Sequence, residues 1–427
     1  MRKIIFFALW TLSLVSLSAQ NVREELKQNL FKAGSNYYAY PDPIRSHTPA
    51  PKGKKPFYLS HYARHGSRYL IKAKEYEYPY QELLKAHEQG KLTEMGEQTL
   101  TRIKALYDEA RDRYGELTPL GAEQHRQIAQ RMYDRFPSVF KGDVWVDAKS
   151  TIVNRCILSM ENELLQLCKN NPKLRFRFDA SQHDMYYMNL QDSALYKKRH
   201  SKKTTEIYYD FCDRHAIHMQ AMGRLFNDST CLKDSIYAFN LNKILFKIAS
   251  SVQGTEMRNE FNLFDIYTLD ELYANWLQAN AYWYISFGSN PYNGGTQPFT
   301  QRNLLRKIIE EADSCIALPH PGATLRFGHE TIVLPLACLL GLNGFDRQIE
   351  DLNQLDLQGW INFEVFPMAA NIQFVFYRKN PSDKDVLLKI LLNENEASLP
   401  IPTDCAPYYH WSDFRDFYLK KLDTYKE

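Results

Sequence analysis

The chain has 427 residues, with 53 Lys+Arg against 50 Asp+Glu, 44% hydrophobic and 14% aromatic residues, 18 Gly and 19 Pro. That profile is of a globular protein with a substantial core, and it excludes a disordered, collagen-like or coiled-coil chain. A formal net charge of +3 makes no global case for nucleic acid or an anionic membrane as partner, so any anion affinity has to be local.

Residues 1–19 read as an export leader: Arg2 and Lys3 form a basic start, 4–17 a mostly apolar run, and Ser18-Ala19 a small-residue end, with cleavage expected after Ala19. The apolar run falls short of the roughly 20 residues a membrane span needs, and no later run is longer. The expectation is a periplasmic or secreted protein with no membrane span. Losing Arg2 and Lys3 lowers the formal charge from +3 to +1. The seven cysteines (Cys156, Cys168, Cys212, Cys231, Cys315, Cys338, Cys405) form no CxxC pair, which argues against a zinc site. Their odd number leaves at least one unpaired within the chain, and the pairing stays open.

A polar segment, 40–56, carries Lys52, Lys54 and Lys55 and leads into a buried strand over 56–63, which ends in Arg64-His65-Gly66-Ser67-Arg68. Leu117-Thr118-Pro119-Leu120-Gly121 then opens a helix over 122–136: Thr118 is placed to cap it, Pro119 suits the first turn, and Ile128, Met132 and Phe136 recur at helical spacing. A short strand follows at 144–146, a helix at 155–169 and an alternating strand at 174–179. From 181 to 301 the pattern is helical with polar joints, rich in Tyr and Asn and without a convincing strand. It reads as an inserted helical cap. Strand–helix logic resumes with a helix over 303–317, a strand over 323–327 and an apolar helix over 331–342. Two more strands, 370–377 and 386–392, precede a polar tail. The implied architecture is an α/β core in two pieces, 20–180 and 302–427, split by the insertion at 181–301.

In open α/β sheets, ligands bind beyond the carboxyl ends of strands. Two strands here end in loaded sequences. In Arg64-His65-Gly66-Ser67-Arg68, two guanidiniums flank an imidazole: a bidentate clamp for phosphate around a nitrogen able to attack it, with Gly66 letting the backbone approach. In Gly328-His329-Glu330, a second imidazole and a carboxyl sit side by side, suited to hydrogen-bonding the transferring group and protonating the leaving oxygen.

These segments resemble the histidine acid phosphatases, the clade with phytases and multiple inositol-polyphosphate phosphatases. The RHGxRxP motif is matched by Arg64 to Tyr69 and broken at Leu70, where proline is expected; LTPxG is matched by Leu117 to Gly121. The family's third arginine is matched by Arg155, and its HD or HAE motif by His329-Glu330. The resemblance implies a three-layer α/β/α, phosphoglycerate-mutase-like core, with the insertion standing where the family has its helical domain. It implies His65 as the nucleophile that becomes phosphohistidine, Glu330 as proton donor, and Arg64, Arg68, Arg155 and His329 as phosphate ligands, with no cofactor and no metal. The substrate would be a small phosphomonoester, inositol polyphosphates such as phytate first and a broader acid-phosphatase range second; the sequence sets no oligomeric state. Leucine in place of proline is expected to relax the turn after Arg68, and Glu for Asp lengthens the donor by a methylene.

Other readings attach to the same residues. His61 and His65 lie four apart on one strand face, so they offer a metal set with His329 and Glu330, but this explains neither arginine. A non-catalytic anion-binding protein needs neither nucleophile nor donor, and a mutase, which shares the RHG motif, is disfavoured by export and the insertion. The run from Lys197 to Lys203 reads as a solvated loop or a recruiter of polyanions, and His215 with His218 as a solvated pair. Tyr186-Tyr187 and Tyr282-Trp283-Tyr284 read as core.

Overall fold

A computed structural model describes residues 22–43, 46–216 and 220–426. The expected leader, 1–19, and His218 lie outside the described residues.

An eight-stranded sheet lies at the centre: β1 (Lys55–Arg64), β2 (Trp145–Ser150), β3 (Arg175–Asp179), β4 (Gly322–Gly328), β5 (Asn371–Arg378), β6 (Leu387–Leu392), β7 (Asn395–Glu396) and β8 (Tyr408–His410). The order is β3-β2-β4-β1-β5-β6-β7, with β8 paired to β6. β3, β2, β4 and β1 run parallel, whereas β5 runs antiparallel to β1 and β6 antiparallel to β5. β1 and β4 are neighbours, with Arg64 opposite Gly328. That register brings the two loaded sequences to one sheet edge although more than 250 residues separate them.

The central strands β1, β4, β5 and β6 form where the sequence is apolar enough to be covered on both faces, whereas β3 at the edge is largely exposed. Along β1 the period-2 alternation sends Leu59 and Ala63 to one face and Tyr58 and Tyr62 to the other. On the first face lie the helices α1 (Pro119–Arg135) and α2 (Asn154–Asn170), contributing Ile128, Ala129, Met132, Met160 and Leu164. On the other lie α3 (Arg302–Ile316), α4 (Glu330–Leu340) and α5 (Trp411–Asp423), through residues such as Leu305, Ile308, Val333 and Phe414. This is the three-layer α/β/α arrangement. The second core continues into the helices between residues 181 and 301, through Leu241, Leu245, Trp276 and Tyr284, and into Tyr76, Leu83, Leu100 and Ile103 of the helices Lys74–Glu88 and Glu94–Ala110. No strand forms between residues 181 and 301 among the described residues.

The helix after Leu117 starts as the sequence says, with Thr118 Oγ1 accepting from Gly121 N at 3.2 Å and Pro119 in the first turn. Two expectations need correction. The short strand at 144–146 is in fact Trp145–Ser150, because Ala148 and Ser150 also find buried partners on β4. The polar tail contains a helix, α5, whose Trp411, Phe414, Tyr418 and Leu422 are buried at three- and four-residue spacing while its charges face outward.

Candidate active site

The loop after β1 is pinned mainly by backbone bonds. Arg64 N donates to Ala370 O at 2.7 Å, His65 N to Gly328 O at 2.9 Å, and Ala369 N to His65 O at 3.0 Å. Gly66 is required by close approach: a Cβ there would lie 2.3 Å from Gly121 O, and one on Gly121 would lie 2.2 Å from Ser67 O. The start of α1 is thus pressed against the loop, and Thr118 N donates to Ser67 O at 2.9 Å. That contact is the structural use of the Leu117–Gly121 motif.

His65 is fully buried, with Nδ1 2.9 Å from the Gly66 carbonyl. A carbonyl only accepts, so Nδ1 carries the proton and Nε2 keeps the lone pair. Nε2 has no hydrogen-bond partner, and Glu330 Oε2 lies 3.6 Å from it. Arg64 Nη1 donates to Asn36 O at 2.7 Å and Phe366 O at 2.8 Å, which orients the guanidinium. Its Nε then lies 3.2 Å from Glu330 Oε2, too poorly aligned for a hydrogen bond, and Nη2 is buried without a partner. Arg68 Nη1 donates to Tyr69 O at 3.0 Å, and its guanidinium lies over the Tyr37 ring, 5.4 Å from the centroid. Arg155, from the first turn of α2, makes one long bond to Gly115 O at 3.4 Å. The Nε atoms of Arg68 and Arg155 are also buried and unpartnered.

The second half follows β4. His329 directly precedes α4, its Nε2 3.2 Å from Thr151 Oγ1 and its ring 5.8 Å from that of His65, centroid to centroid. Glu330 is the first residue of α4.

The charges agree with the distances. Burial, then Arg64, Arg155, Arg68 and His329, hold the His65 imidazole well below its ordinary value, so it is neutral. His329 is depressed to about 4, chiefly by burial, with the arginines adding to it and Glu330 opposing. Burial would raise Glu330, but Arg64, Arg68 and His329 outweigh it and bring the carboxyl to about 2. Glu330 is therefore an ionised carboxylate beside Arg64 and His65, where it stands in for the anion that three guanidiniums call for.

All six residues named from the sequence are brought together: His65, Glu330, Arg64, Arg68, Arg155 and His329. His61 is not among them. It faces α1 and α2, with Nε2 4.0 Å from Glu163 Oε1, and Glu163 in turn is 2.8 Å from His125 Nδ1, all three fully buried. His65, His329 and Glu330 offer ligand atoms within 4.8 Å of one another, but in a cage of three guanidiniums a cation would be repelled. The turn after Arg68 is held rather than relaxed: Leu70 N donates to Tyr76 OH at 2.9 Å, a bond that proline has no hydrogen to make. Tyr37, Thr151, Gln124 and Ser159 also reach the site or its loop, and sequence spacing gave no sign of them. Of the basic run, Lys197, Lys198, Lys202 and Lys203 are exposed, while Arg199 is half-buried over the Phe287 ring, 4.6 Å from its centroid. His215 bonds Asn353 at 2.7 Å. Tyr187, Trp283 and Tyr284 are buried, and Tyr186 and Tyr282 are exposed. All seven cysteines are unpaired, and no helix among the described residues is long and apolar enough to cross a membrane.

An α/β sheet that carries a neutral, unpartnered imidazole among three arginines at its carboxyl edge, with a carboxylate alongside, defines a phosphatase. The chain belongs to the histidine phosphatase superfamily, branch 2, whose model matches residues 62–393. Its fold is similar to that of the Bifidobacterium longum multiple inositol polyphosphate phosphatase in complex with inositol hexasulfate, with a TM-score of 0.74 at 18% identity over 91% of this chain and 97% of that one. It is similar also to the phytase of D. castellii (TM-score 0.68, 13% identity, 92% and 85% covered) and to the Hafnia alvei phytase in complex with tartrate (0.52, 14%, 87% and 98%). No curated protein matches the sequence.

Proposed function

We propose that the chain is an exported phosphomonoester hydrolase that works through a phosphohistidine on His65, with inositol polyphosphates such as phytate as substrates. The observation that carries the mechanism is the unpartnered His65 Nε2 with Nδ1 already committed to Gly66 O. Export rests on the composition of residues 1–19. The substrate class rests on the likeness in fold to an enzyme held with inositol hexasulfate.

The His65 Nε2 lone pair forms the N–P bond as the ester P–O bond breaks, and the leaving oxygen takes a proton from Glu330. Glu330 then removes a proton from water, the hydroxide attacks phosphorus, the N–P bond breaks to return neutral His65, and Glu330 gives that proton to the departing phosphate, which leaves as the monoanion. Arg64, Arg68 and Arg155 neutralise the charge spread over the phosphoryl oxygens, which is most of what such a transfer requires. The charge balance identifies the source of the donor proton. With Arg64, Arg68 and His329 holding Glu330 at about 2, the proton arrives with substrate, whose phosphate monoanion keeps one below a second ionisation at about pH 6. Binding swaps the carboxylate for a phosphoryl anion on the arginines, and the displaced Glu330 takes up the proton.

The test is phosphate release by the mature chain from phytate and from p-nitrophenyl phosphate between about pH 4 and 7, with chelator present and His65→Ala alongside. Chelator-resistant release lost in the variant, with phytate preferred, is the expected result. Equal turnover of both substrates moves the reading to a broad acid phosphatase. No release from either, together with phosphate binding, makes the chain an anion-binding protein.

A further inference from the structure

The nucleophilic nitrogen of His65 is selected by one carbonyl, that of Gly66, at 2.9 Å from Nδ1. This carbonyl shares a peptide plane with Ser67 N, and a trans peptide turns as a rigid unit. Ser67 N donates to Gln124 Oε1 at 2.9 Å. The preceding plane, which carries Gly66 N, is tied in the same way to Ser159 Oγ at 3.1 Å. Gly66 has no Cβ to restrain its own torsions, so the orientation of both planes is set from outside the loop.

Building on the phosphohistidine reading of His65, we propose that Gln124 is a positioning residue that fixes the reactive tautomer of His65 through the 66–67 peptide, with Ser159 holding the plane before it. Gln124 touches no reacting atom. Its amide oxygen keeps the Ser67 N–H inward, the Gly66 carbonyl therefore faces Nδ1, and the lone pair stays on Nε2 beneath the arginines. Were this plane to turn, Nδ1 would lose its acceptor and the proton would be as well placed on Nε2, where it blocks attack. The two outside acceptors stand on different helices, α1 and α2, and those helices are joined behind the loop by the buried pair His125–Glu163 at 2.8 Å. His125 follows Gln124 directly and Glu163 lies one turn beyond Ser159, so the pair keeps the two acceptors in mutual register.

The assignment is tested with Gln124→Met, which keeps the volume and removes the acceptor, and Gln124→Glu, which restores an oxygen. Ser159→Ala is the second variant, since it removes the other acceptor without adding bulk. The protein is labelled with 15N-histidine, and the His65 resonances are identified by their loss in His65→Ala. In the natural chain Nδ1 is protonated. Gln124→Met is expected to show both tautomers and a kcat lower by roughly 10- to 100-fold, the size of one buried hydrogen bond. Competitive inhibition by inorganic phosphate stays within about twofold, because the guanidiniums are untouched. Gln124→Glu recovers most of the rate. An unchanged tautomer and kcat in both Gln124→Met and Ser159→Ala overturns the proposal. So does a loss of phosphate affinity equal to the loss of kcat, which marks general collapse of the loop. The tautomer is read without turnover, so a chain that hydrolysed no phosphomonoester would refute the hydrolase reading and still answer this question.

Discussion

The two halves of the site follow the ends of neighbouring parallel strands and are held by opposite means. After β1, every backbone bond of Arg64, His65 and Gly66 named above goes to a different element, and His65 is sealed from solvent. After β4, Glu330 keeps 13% of its side-chain surface exposed and makes no well-directed hydrogen bond to Arg64. Such a difference suits the roles proposed for them. A nucleophile gains from a fixed line of attack, whereas an acid–base group has to give way to substrate and return with a proton.

Breaking the fixed half outright gives the largest effect. His65→Ala abolishes phosphate release and, in a rapid-quench experiment with radiolabelled substrate, the acid-labile phosphoprotein. Breaking the movable half costs less and depends on the leaving group. Glu330→Gln lowers kcat by roughly 10²- to 10⁴-fold on an alkyl phosphate such as phytate, the usual range for a lost general acid. On p-nitrophenyl phosphate the first step is nearly spared, since that leaving group departs without a proton. If both substrates suffer equally, Glu330 acts mainly as a charge rather than as a donor.

Arg155→Leu removes a guanidinium with one weak tie of its own, so it raises KM by about 10- to 100-fold, as expected for charge-assisted hydrogen bonds, with little change in melting temperature. Gly121→Ala forces a Cβ to 2.2 Å from Ser67 O. Overpacking there costs about 1–3 kcal/mol by denaturant titration and reduces kcat, because the shift falls on the loop that carries His65.

The smallest effect is on stability against pH. His329 is depressed from 6.5 to about 4, so the unfolded chain binds that proton first as pH falls, and stability declines from about 6.5 toward 4. Glu330, depressed from 4.5 to about 2, contributes stability above 4.5 that is lost between 4.5 and 2. Both slopes have the same sign. Melting curves should therefore fall with acidification, less so in His329→Ala over the upper window.

How much of this was legible in the sequence follows the same division. Arg64-His65-Gly66-Ser67-Arg68 and His329-Glu330 were readable because chemistry on a strand end must come from residues of particular types at short spacing. Arg155 was readable from its motif. Gln124 and Ser159 were not, since a side chain that accepts from a backbone N–H leaves no spacing rule behind it. Tyr37 was equally hidden, arriving from a segment ahead of the sheet. The metal set with His61, disfavoured because it explains neither arginine, is not assembled, because a shared strand face predicts a shared direction and not a shared neighbour. α5 was missed because its apolar stripe is narrow among charged residues. By itself the sequence determined the alternating strands, the capped helix after Leu117 and the chemical inventory, all of which depend on local steric and solvation preferences. Only the tertiary structure decided that Glu330 is ionised beside Arg64 and Arg68, that Leu70 donates where proline could not, and that Gly66 and Gly121 touch, because each depends on which groups a fold of 427 residues brings within a few ångströms in a medium where charges are scarcely screened.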